Sequence, residues 1–588
     1  MLKLLRLFKP YLFHFLALLA LVFLTVYTSL QLPDYMAKIV NEGIVLKDNG
    51  LILRTGGTML LIALAGAVAT IGVGFLASKI ATGVSMDARA KLFARVESFS
   101  LTEFNKFSTA SLITRSTNDV QQIQMVLVIL LRMVLQAPLT GGWAIVKAYD
   151  IAPSMSWIMY LAVAVLIGII IVLFSVALPK FQLLQKLVDK LNLVTRQNLT
   201  GLRVIRAFNN EKIEQEKFEK ANVDLTNTNL FVNRIMVVMQ PVMMLMFNLT
   251  AITIVWVGAH LIGDGNLLIG NMIAFMQYSM QVIMAFLMVS IIFIMIPRAS
   301  VSAKRVMEVI ETEPAITDPK EPKQFTNGGG LVEFKDVTFA YPGADDPVLC
   351  NINFEACPGQ TTAIIGSTGS GKSTLINLIP RFYDVSGGQV LVDGIDVREL
   401  KLEDLYAKIG YVPQRGVLFS GTVESNIKYG APEASIDETR KAAKIAQADE
   451  FITHLEGKFE AGIAQGGANV SGGQKQRLSI ARAIARNPEI YIFDDSFSAL
   501  DFKTDANLRR ALLSETKNKT VLIVAQRIST ILNADKIVVL DEGRIESIGT
   551  HQELMRSSKV YQEIAYSQLS EEELKGYQIN LDKADASA

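Results

Sequence analysis

The stretch Gly366-Ser367-Thr368-Gly369-Ser370-Gly371-Lys372-Ser373-Thr374 decides the fold of the second half of the chain. It follows the strand-like run Thr361–Ile365 and precedes an apolar helical run, the setting that a phosphate-binding loop, G-x-x-x-x-G-K-[ST], requires. The glycines let backbone N–H groups wrap phosphate oxygens, and the N-terminus of the following helix favours negative charge. Lys372 is placed to reach the β and γ phosphates of a nucleotide, and Ser373 to ligate Mg2+. A glycine turn before an unrelated helix is the plainer reading, and the flanking elements weigh against it.

Further strand-like runs, Val332–Phe339, Gln389–Val392, Ile490–Phe493 and Thr520–Val524, alternate with helical segments. That is the pattern of an α/β domain with a largely parallel sheet. Ile490-Tyr-Ile-Phe-Asp494 ends an apolar strand in a carboxylate, which can hold the hydration shell of Mg2+. Between these motifs lies Val470-Ser471-Gly472-Gly473-Gln474. Here the chain resembles the ATP-binding cassette family, whose signature LSGGQ differs by one conservative residue. Tyr341 matches the adenine-stacking aromatic, Gln414 the Q-loop residue beside the metal, and Ser498-Ala499-Leu500-Asp501 the D-loop. Read alone, Tyr341 is a packed strand aromatic and Gln414 a surface residue; their joint spacing carries the functional reading. The resemblance spans almost the whole chain and implies ATP and Mg2+ as cofactors. It also implies that two cassettes sandwich two ATP molecules, so that Ser471, Gly473 and Gln474 act on the partner's ATP.

The chain departs from the family pattern at two positions. The hydrolytic base, a Glu following the strand-end Asp, is replaced by Asp495, and the switch histidine by Gln526. A carboxylate one methylene shorter retreats by about 1.5 Å, and a misplacement near 1 Å costs on the order of 100-fold in rate. Glutamine can hydrogen-bond a γ-phosphate but cannot carry charge or shuttle a proton. Gln465-Gly466-Gly467 also lacks the acidic and basic pair usual in homodimeric exporters. The pattern resembles the degenerate-site subunit of heterodimeric bacterial multidrug exporters. That resemblance implies a homologous but non-identical half-transporter as partner.

Apolar residues make up 50% of the 588, too many for one average soluble core, and nearly all of the excess lies before residue 300. Six stretches there reach the roughly 20 residues that a bilayer core needs: Tyr11–Leu32, Gly56–Ser78, Met125–Val146, Trp157–Leu178, Met236–Ile262 and Ile269–Ile296. Basic residues crowd Lys79–Gln124 and Pro179–Ile235, whereas Lys147–Ser156 and Gly263–Leu268 have almost none. The basic-inside rule then puts both termini in the cytoplasm of a multi-pass cell-membrane protein, with the loop around Lys38, Lys47 and Arg54 mildly discordant. Met1–Pro10, with Lys3, Arg6 and Lys9, reads as a basic elbow on the inner membrane surface rather than a cleavable signal. The two long basic segments are helix-friendly arms of roughly 30 Å, with less helical tips near Leu101–Ser111 and Asn198–Arg206. Glu311–Gly330, polar and rich in Pro and Gly, reads as a linker.

The expected fold class is therefore multidomain. A six-helix, all-α transmembrane domain (1–310) leads through a linker (311–330) to an α/β phosphate-loop domain (331–567) and a charged tail (568–588). The net charge of +1 gives no basic face for nucleic acid. Cys350 and Cys357, without a framework of pairs, read as reduced thiols. Arg132, inside a span, costs about 2.5–3.5 kcal/mol on insertion scales and is expected to face the bundle interior, where it either touches substrate or pairs with a carbonyl. Met272, Met276, Met280, Met284 and Met288 recur in steps of four, read as one helix face; plain packing or a pliable apolar cavity accounts for them. Gln277, Gln281 and Asn248 are candidate polar contacts in that cavity, and His260 is read as structural. The leading function is ATP-driven export of amphipathic or hydrophobic compounds, of multidrug type, out of the cell, with membrane lipid and a small amphipathic substrate as partners. A lipid or glycolipid flippase and a nucleotide-gated channel or regulator are the alternatives.

Overall fold

The computed structural model describes residues 8–325 and 328–568. Most of the proposed basic elbow and nearly all of the charged tail lie outside these residues. The chain divides into two compact units: residues up to Glu97 together with Thr109–Thr312, and Ser98–Ser108 together with the chain from Glu313 onward.

Among the described residues the first unit is built of helices joined by short turns, and six of these helices are long and apolar enough to cross a membrane. They run over Phe8–Ile44, Asn49–Glu97, Thr109–Ile151, Pro153–Val172, Glu211–Gly263 and Ile269–Val289. Several continue far beyond a bilayer's thickness; the helix Glu211–Gly263 has 53 residues and Asn49–Glu97 has 49. The surplus turns form the arms. At the second arm tip the chain breaks at Gly201 and continues in the short helix Leu202–Ala207. At the first, Ser100 caps the helix Leu101–Phe107 with a capping box to Glu103, and Ser108 ends it at φ 55°. Both tips thus hold short helices of their own.

Close approach and a few polar contacts hold the spans together. A Cβ on Gly270 would lie 2.4 Å from the Ala37 carbonyl, so only glycine lets these two helices touch. Asn41 ties the same place, accepting from Gly270 N–H at 2.7 Å and donating to Asn271 at 3.0 Å. The fully buried Tyr278 hydroxyl lies 2.7 Å from both the Leu30 carbonyl and Asp34 Oδ1, and Lys147 Nζ donates to Asp34 Oδ2 at 2.7 Å.

The second unit is built on two sheets. Strands β1 (Val332–Phe339), β2 (Leu349–Ala356), β4 (Gly387–Val392) and β5 (Ile395–Asp396) form an antiparallel sheet in the order β2-β1-β4-β5. The larger sheet runs β12-β11-β3-β10-β9-β6, with β3 (Thr361–Gly366), β6 (Ile409–Val412), β9 (Ile490–Asp494), β10 (Thr520–Val524), β11 (Lys536–Asp541) and β12 (Arg544–Gly549). Strands β7 (Gly421–Thr422) and β8 (Gly462–Ile463) form a separate small pair. All pairings in the six-stranded sheet are parallel except β11 with β12. Strands β9 and β10 are buried at every residue, as continuous apolar runs covered on both faces should be. Alternate residues divide between two cores: Tyr491, Phe493 and Ile523 enter one, and Ile490, Ile492 and Leu522 the other.

The polar stretch after Glu311 is pinned rather than free. Asp318 accepts from Leu402 N–H at 2.9 Å, and Arg381 donates to the Thr317 carbonyl at 3.2 Å. Cys350 and Cys357 are free thiols.

Tyr278→Phe removes a buried donor shared by two acceptors, so the purified chain should lose about 1–3 kcal/mol of stability. Thermal unfolding in detergent reads this as a lower midpoint; an unchanged or raised midpoint would show that the contact contributes nothing.

Candidate functional site

Four parallel strands deliver the candidate residues to one edge of the sheet. Gly366 ends β3, Asp494 ends β9, Val524 ends β10 two residues before Gln526, and Val412 ends β6 two residues before Gln414. The register Val524 opposite Asp494 and opposite Ile364 sets their heights. Asp495 N–H continues the ladder to the Val524 carbonyl at 3.0 Å, and Ala525 N–H to Ile364 at 3.1 Å. A ligand crevice at the carboxyl ends of parallel strands is the general rule for such sheets.

The phosphate loop needs its glycines. Gly369 and Gly371 have φ of 88° and 97°, and a Cβ on Gly366 would lie 2.0 Å from the Leu540 carbonyl. Ser367, Thr368 and Gly369 form the exposed crest, while Ser370 and Thr374 are buried beneath it. Lys372 turns inward across the loop and donates to the Gly366 and Ser367 carbonyls at 2.9 and 2.6 Å. Burial pushes its ammonium below the ordinary lysine value, against the pull of Asp495 and Asp494. Ser373 Oγ donates to Asp494 Oδ1 at 2.9 Å, pairing the hydroxyl and carboxylate that would hold Mg2+. The cradle, the lysine and this pair fit a magnesium nucleotide, whose metal would neutralise phosphate charge there.

Tyr341 reaches the loop in a way the sequence did not announce. Its hydroxyl bonds Thr374 Oγ1 at 2.8 Å, and its ring stands edge-to-face with Phe339 at 4.9 Å and Tyr383 at 5.3 Å. Asn105, on the short helix Leu101–Phe107, donates to the Tyr383 hydroxyl at 3.3 Å. A chain of contacts therefore runs from that arm tip to the phosphate loop.

The two departures from the family pattern meet in space. Asp495 Oδ2 accepts from Gln526 Nε2 at 2.9 Å and from Gln414 Nε2 at 3.1 Å. The Asp495 backbone sits at φ 45°, a left-handed conformation costly for a non-glycine residue and concentrated at functional sites. Burial raises the carboxyl above the ordinary aspartate range, opposed by bonds from Gln414 and Ser498 and by the charge of Arg527. Asp494 is raised for the same first reason.

The signature residues stand apart from this cluster. Ser471 is the exposed N-cap of the helix Gly472–Arg486, in a capping box with Gln474. Gly473 packs so that a Cβ would lie 3.1 Å from the Ala499 carbonyl. Among the described residues, no hydrogen bond joins Ser471, Gly473 or Gln474 to the phosphate loop. Asp501 caps the helix Phe502–Glu515 through Thr504 N–H at 3.0 Å, which holds its carboxyl below the ordinary range. Gln476 has no place in the sequence reading, yet it is buried and staples both sides of Gln414. It donates to the Pro413 carbonyl and accepts from Gly416 N–H, each at 3.0 Å. Its only sequence signal was a polar residue on the apolar side of an amphipathic helix.

In the helical unit the candidates are scattered. Arg132 is exposed on this chain instead of facing its interior, on the π-helical turn Leu130–Val134, and among the described residues it makes no hydrogen bond or ion pair. Residues four apart drift about 40° per step around a helix, so the methionines do not keep one face. Met276 and Met280 are half-buried, while Met284 is 50% exposed. Gln277 is half-buried, and among the described residues the buried Gln281 Oε1 has no hydrogen-bond partner. Asn248 is exposed, and its Nδ2 donates to the Met244 carbonyl on its own helix at 2.9 Å. His260 likewise bonds Trp256 O at 2.9 Å.

This fold and loop define a nucleotide-binding cassette attached to a six-span helical unit. The family profile "ABC transporter transmembrane region" matches residues 15–286, and "ABC transporter" matches residues 349–498. An uncharacterized ABC transporter ATP-binding protein of Mycobacterium tuberculosis is 41% identical over 564 residues, covering 95% of this chain and 97% of that one. An ATP-dependent lipid A-core flippase of Desulfotalea psychrophila is 32% identical over 496 residues, covering 82% and 84%. The structure of a bacterial Atm1-family ABC exporter with ATP bound superposes with a TM-score of 0.79 at 25% identity, covering 95% and 98%. The chain belongs to the ABC transporter family and has the exporter-type half-transporter architecture.

Lys372→Ala should weaken nucleotide binding about 10- to 100-fold, read by displacement of a fluorescent nucleotide; unchanged affinity would contradict the site. Phosphate binding should raise the depressed Lys372 pKa. Affinity is then greatest below the free-chain value and falls as pH rises through it. The decline should begin below the ordinary lysine value of 10.5; a titration flat to that pH would contradict the assignment.

Proposed function

We propose that this chain is one subunit of a heterodimeric ATP-driven exporter that moves small amphipathic or hydrophobic compounds, of multidrug type, out of the cell. Its partner is a homologous, non-identical half-transporter. The phosphate-loop site of this chain binds Mg-ATP and hydrolyses it slowly, and its signature segment completes the partner's competent site. The single observation that carries this reading is the pair of amide donors on Asp495 Oδ2, from Gln526 and Gln414. A general base must reach the proton it abstracts. Here the carboxylate is one methylene short, and one of its oxygens is held by two amides that take up no proton.

The roles of the remaining residues follow. Lys372 and the backbone of Gly366–Thr374 hold the phosphates, Ser373, Asp494 and Gln414 the metal, and Tyr341 the base. Ser471, Gly473 and Gln474 lie at the exposed start of a helix, where they can meet a nucleotide held by another chain. Asp501 lies in the D-loop segment that would border the partner's site. Nucleotide closure is passed to the membrane helices through the arm tips, supported by the Asn105–Tyr383–Tyr341 contacts on one arm. On the other, Leu202, Val204 and Phe208 are exposed apolar residues suited to docking on the partner's cassette.

The distribution of Lys and Arg supports a cell-membrane location with both termini cytoplasmic. Arg132, Met276, Gln277, Met280, Gln281 and Met284 are the proposed substrate path, with Arg132 facing a cavity completed by the partner. A lipid or glycolipid substrate is the second reading, favoured by the likeness to the lipid A-core flippase. Stimulation of ATPase by lipid, with no drug uptake into vesicles, would select it.

The purified subunit alone should hydrolyse ATP slowly, and Asp495→Glu with Gln526→His should raise turnover about 100-fold. Vigorous hydrolysis by the unmodified subunit would overturn the degenerate-site reading.

A further inference from the structure

The C-terminal helix Lys559–Gln568 ends against the segment that follows β10. Gln568 Oε1 accepts from the Ile528 N–H at 2.8 Å, and Gln568 Nε2 donates to the Gln526 carbonyl at 2.8 Å. One side-chain amide thus serves the backbone donor and acceptor on either side of Arg527, as a neighbouring strand would. Neither atom has a backbone partner among the described residues. Ile528 begins a four-residue helix, so its N–H is one of the donors that a helix start leaves unserved. The reach of Gln568 is fixed by its helix: Tyr561 and Ala565, on the same face, are fully buried in the core. On the other side, the Gln526 side chain donates to Asp495. The contacts therefore run from the C-terminal helix through Gln568 to the backbone of Gln526, and from its side chain to the carboxylate beside the phosphate loop.

We propose that Gln568 is a positioning residue for the nucleotide site. It clips the switch segment so that the Gln526 amide is held at Asp495 and at the place of the γ-phosphate. This rests on the reading of Gln526 as the residue that faces the γ-phosphate. It adds that the site's discrimination between ATP and ADP is set in part from the C-terminal helix. A clip that acts through Gln526 affects the triphosphate and leaves the diphosphate alone, whereas a purely structural contact affects both equally.

The test uses the full-length chain in detergent, with ATP and ADP each displacing a fluorescent nucleotide and the thermal midpoint measured alongside. Gln568→Met keeps the length and removes both bonds; Gln568→Glu keeps the acceptor and loses the donor, and serves if the first variant folds poorly. Gln568→Met should weaken ATP roughly fivefold relative to ADP, with Gln568→Glu between it and the native chain. In a Gln526→Ala background the same change should have no further effect on the ratio, because the group it positions is gone. If Gln526→Ala lowers the ATP-to-ADP preference and Gln568→Met leaves it unchanged, the clip is refuted. If Gln526→Ala itself leaves the preference unchanged, the reading of Gln526 fails and the proposal falls with it.

Discussion

The parallel pairing of β3, β10, β9 and β6 is the constraint on which the nucleotide site depends. Each strand enters the sheet from the same direction, so each ends on the same edge, and the register fixes how far it projects. Gly366, Gln526, Asp494 with Asp495, and Gln414 converge there from positions spread over 160 residues of chain. The strands are buried on both faces, so a shift of one residue would exchange the contents of the two cores. The geometry of the site is thus secured by apolar packing that takes no part in the chemistry.

Within that frame, the deciding feature is a carboxylate held by amides. Asp495 is nearly buried, sits in a left-handed backbone conformation, and gives one oxygen to Gln414 and Gln526. On the proposed reading, the two amides that order the side chain also occupy the oxygen that a general base would use. The phosphate loop, Lys372 and the Ser373–Asp494 pair draw on different atoms, so the proposed loss of hydrolysis would leave nucleotide binding in place. Under the proposed function, the nucleotide of this subunit would act as a ligand for closure while turnover proceeds at the partner's site.

Much of this was legible in the residues. The phosphate loop could be read because glycine, lysine and serine at fixed spacing have a physical reason to recur, and β9 and β10 because the uninterrupted apolar runs Ile490–Phe493 and Val521–Val524 mean burial on both sides. The six spans were legible from length and hydropathy alone. What escaped depended on orientation. The cost of a charge in hydrocarbon points Arg132 into the bundle, yet the residue is exposed on this chain, and that cost alone does not say which surface must cover the charge. The methionine steps of four were read as a face, though a period of 3.6 carries them around the helix. Gln476 and Gln568 act through side-chain amides bonded to distant backbone, and nothing in a local pattern marks such a glutamine. The arm tips looked like turns because short helices capped by Ser100 or broken at Gly201 leave little periodic signal.

The central claim is that nucleotide bound at Lys372 persists while the transporter turns over. The most direct measurement loads the assembled transporter with γ-labelled ATP, allows a few turnovers, and identifies the nucleotide retained on each subunit after a rapid quench. Intact ATP on this chain, with ADP on its partner, is the expected result. Equal conversion to ADP on both subunits would contradict it.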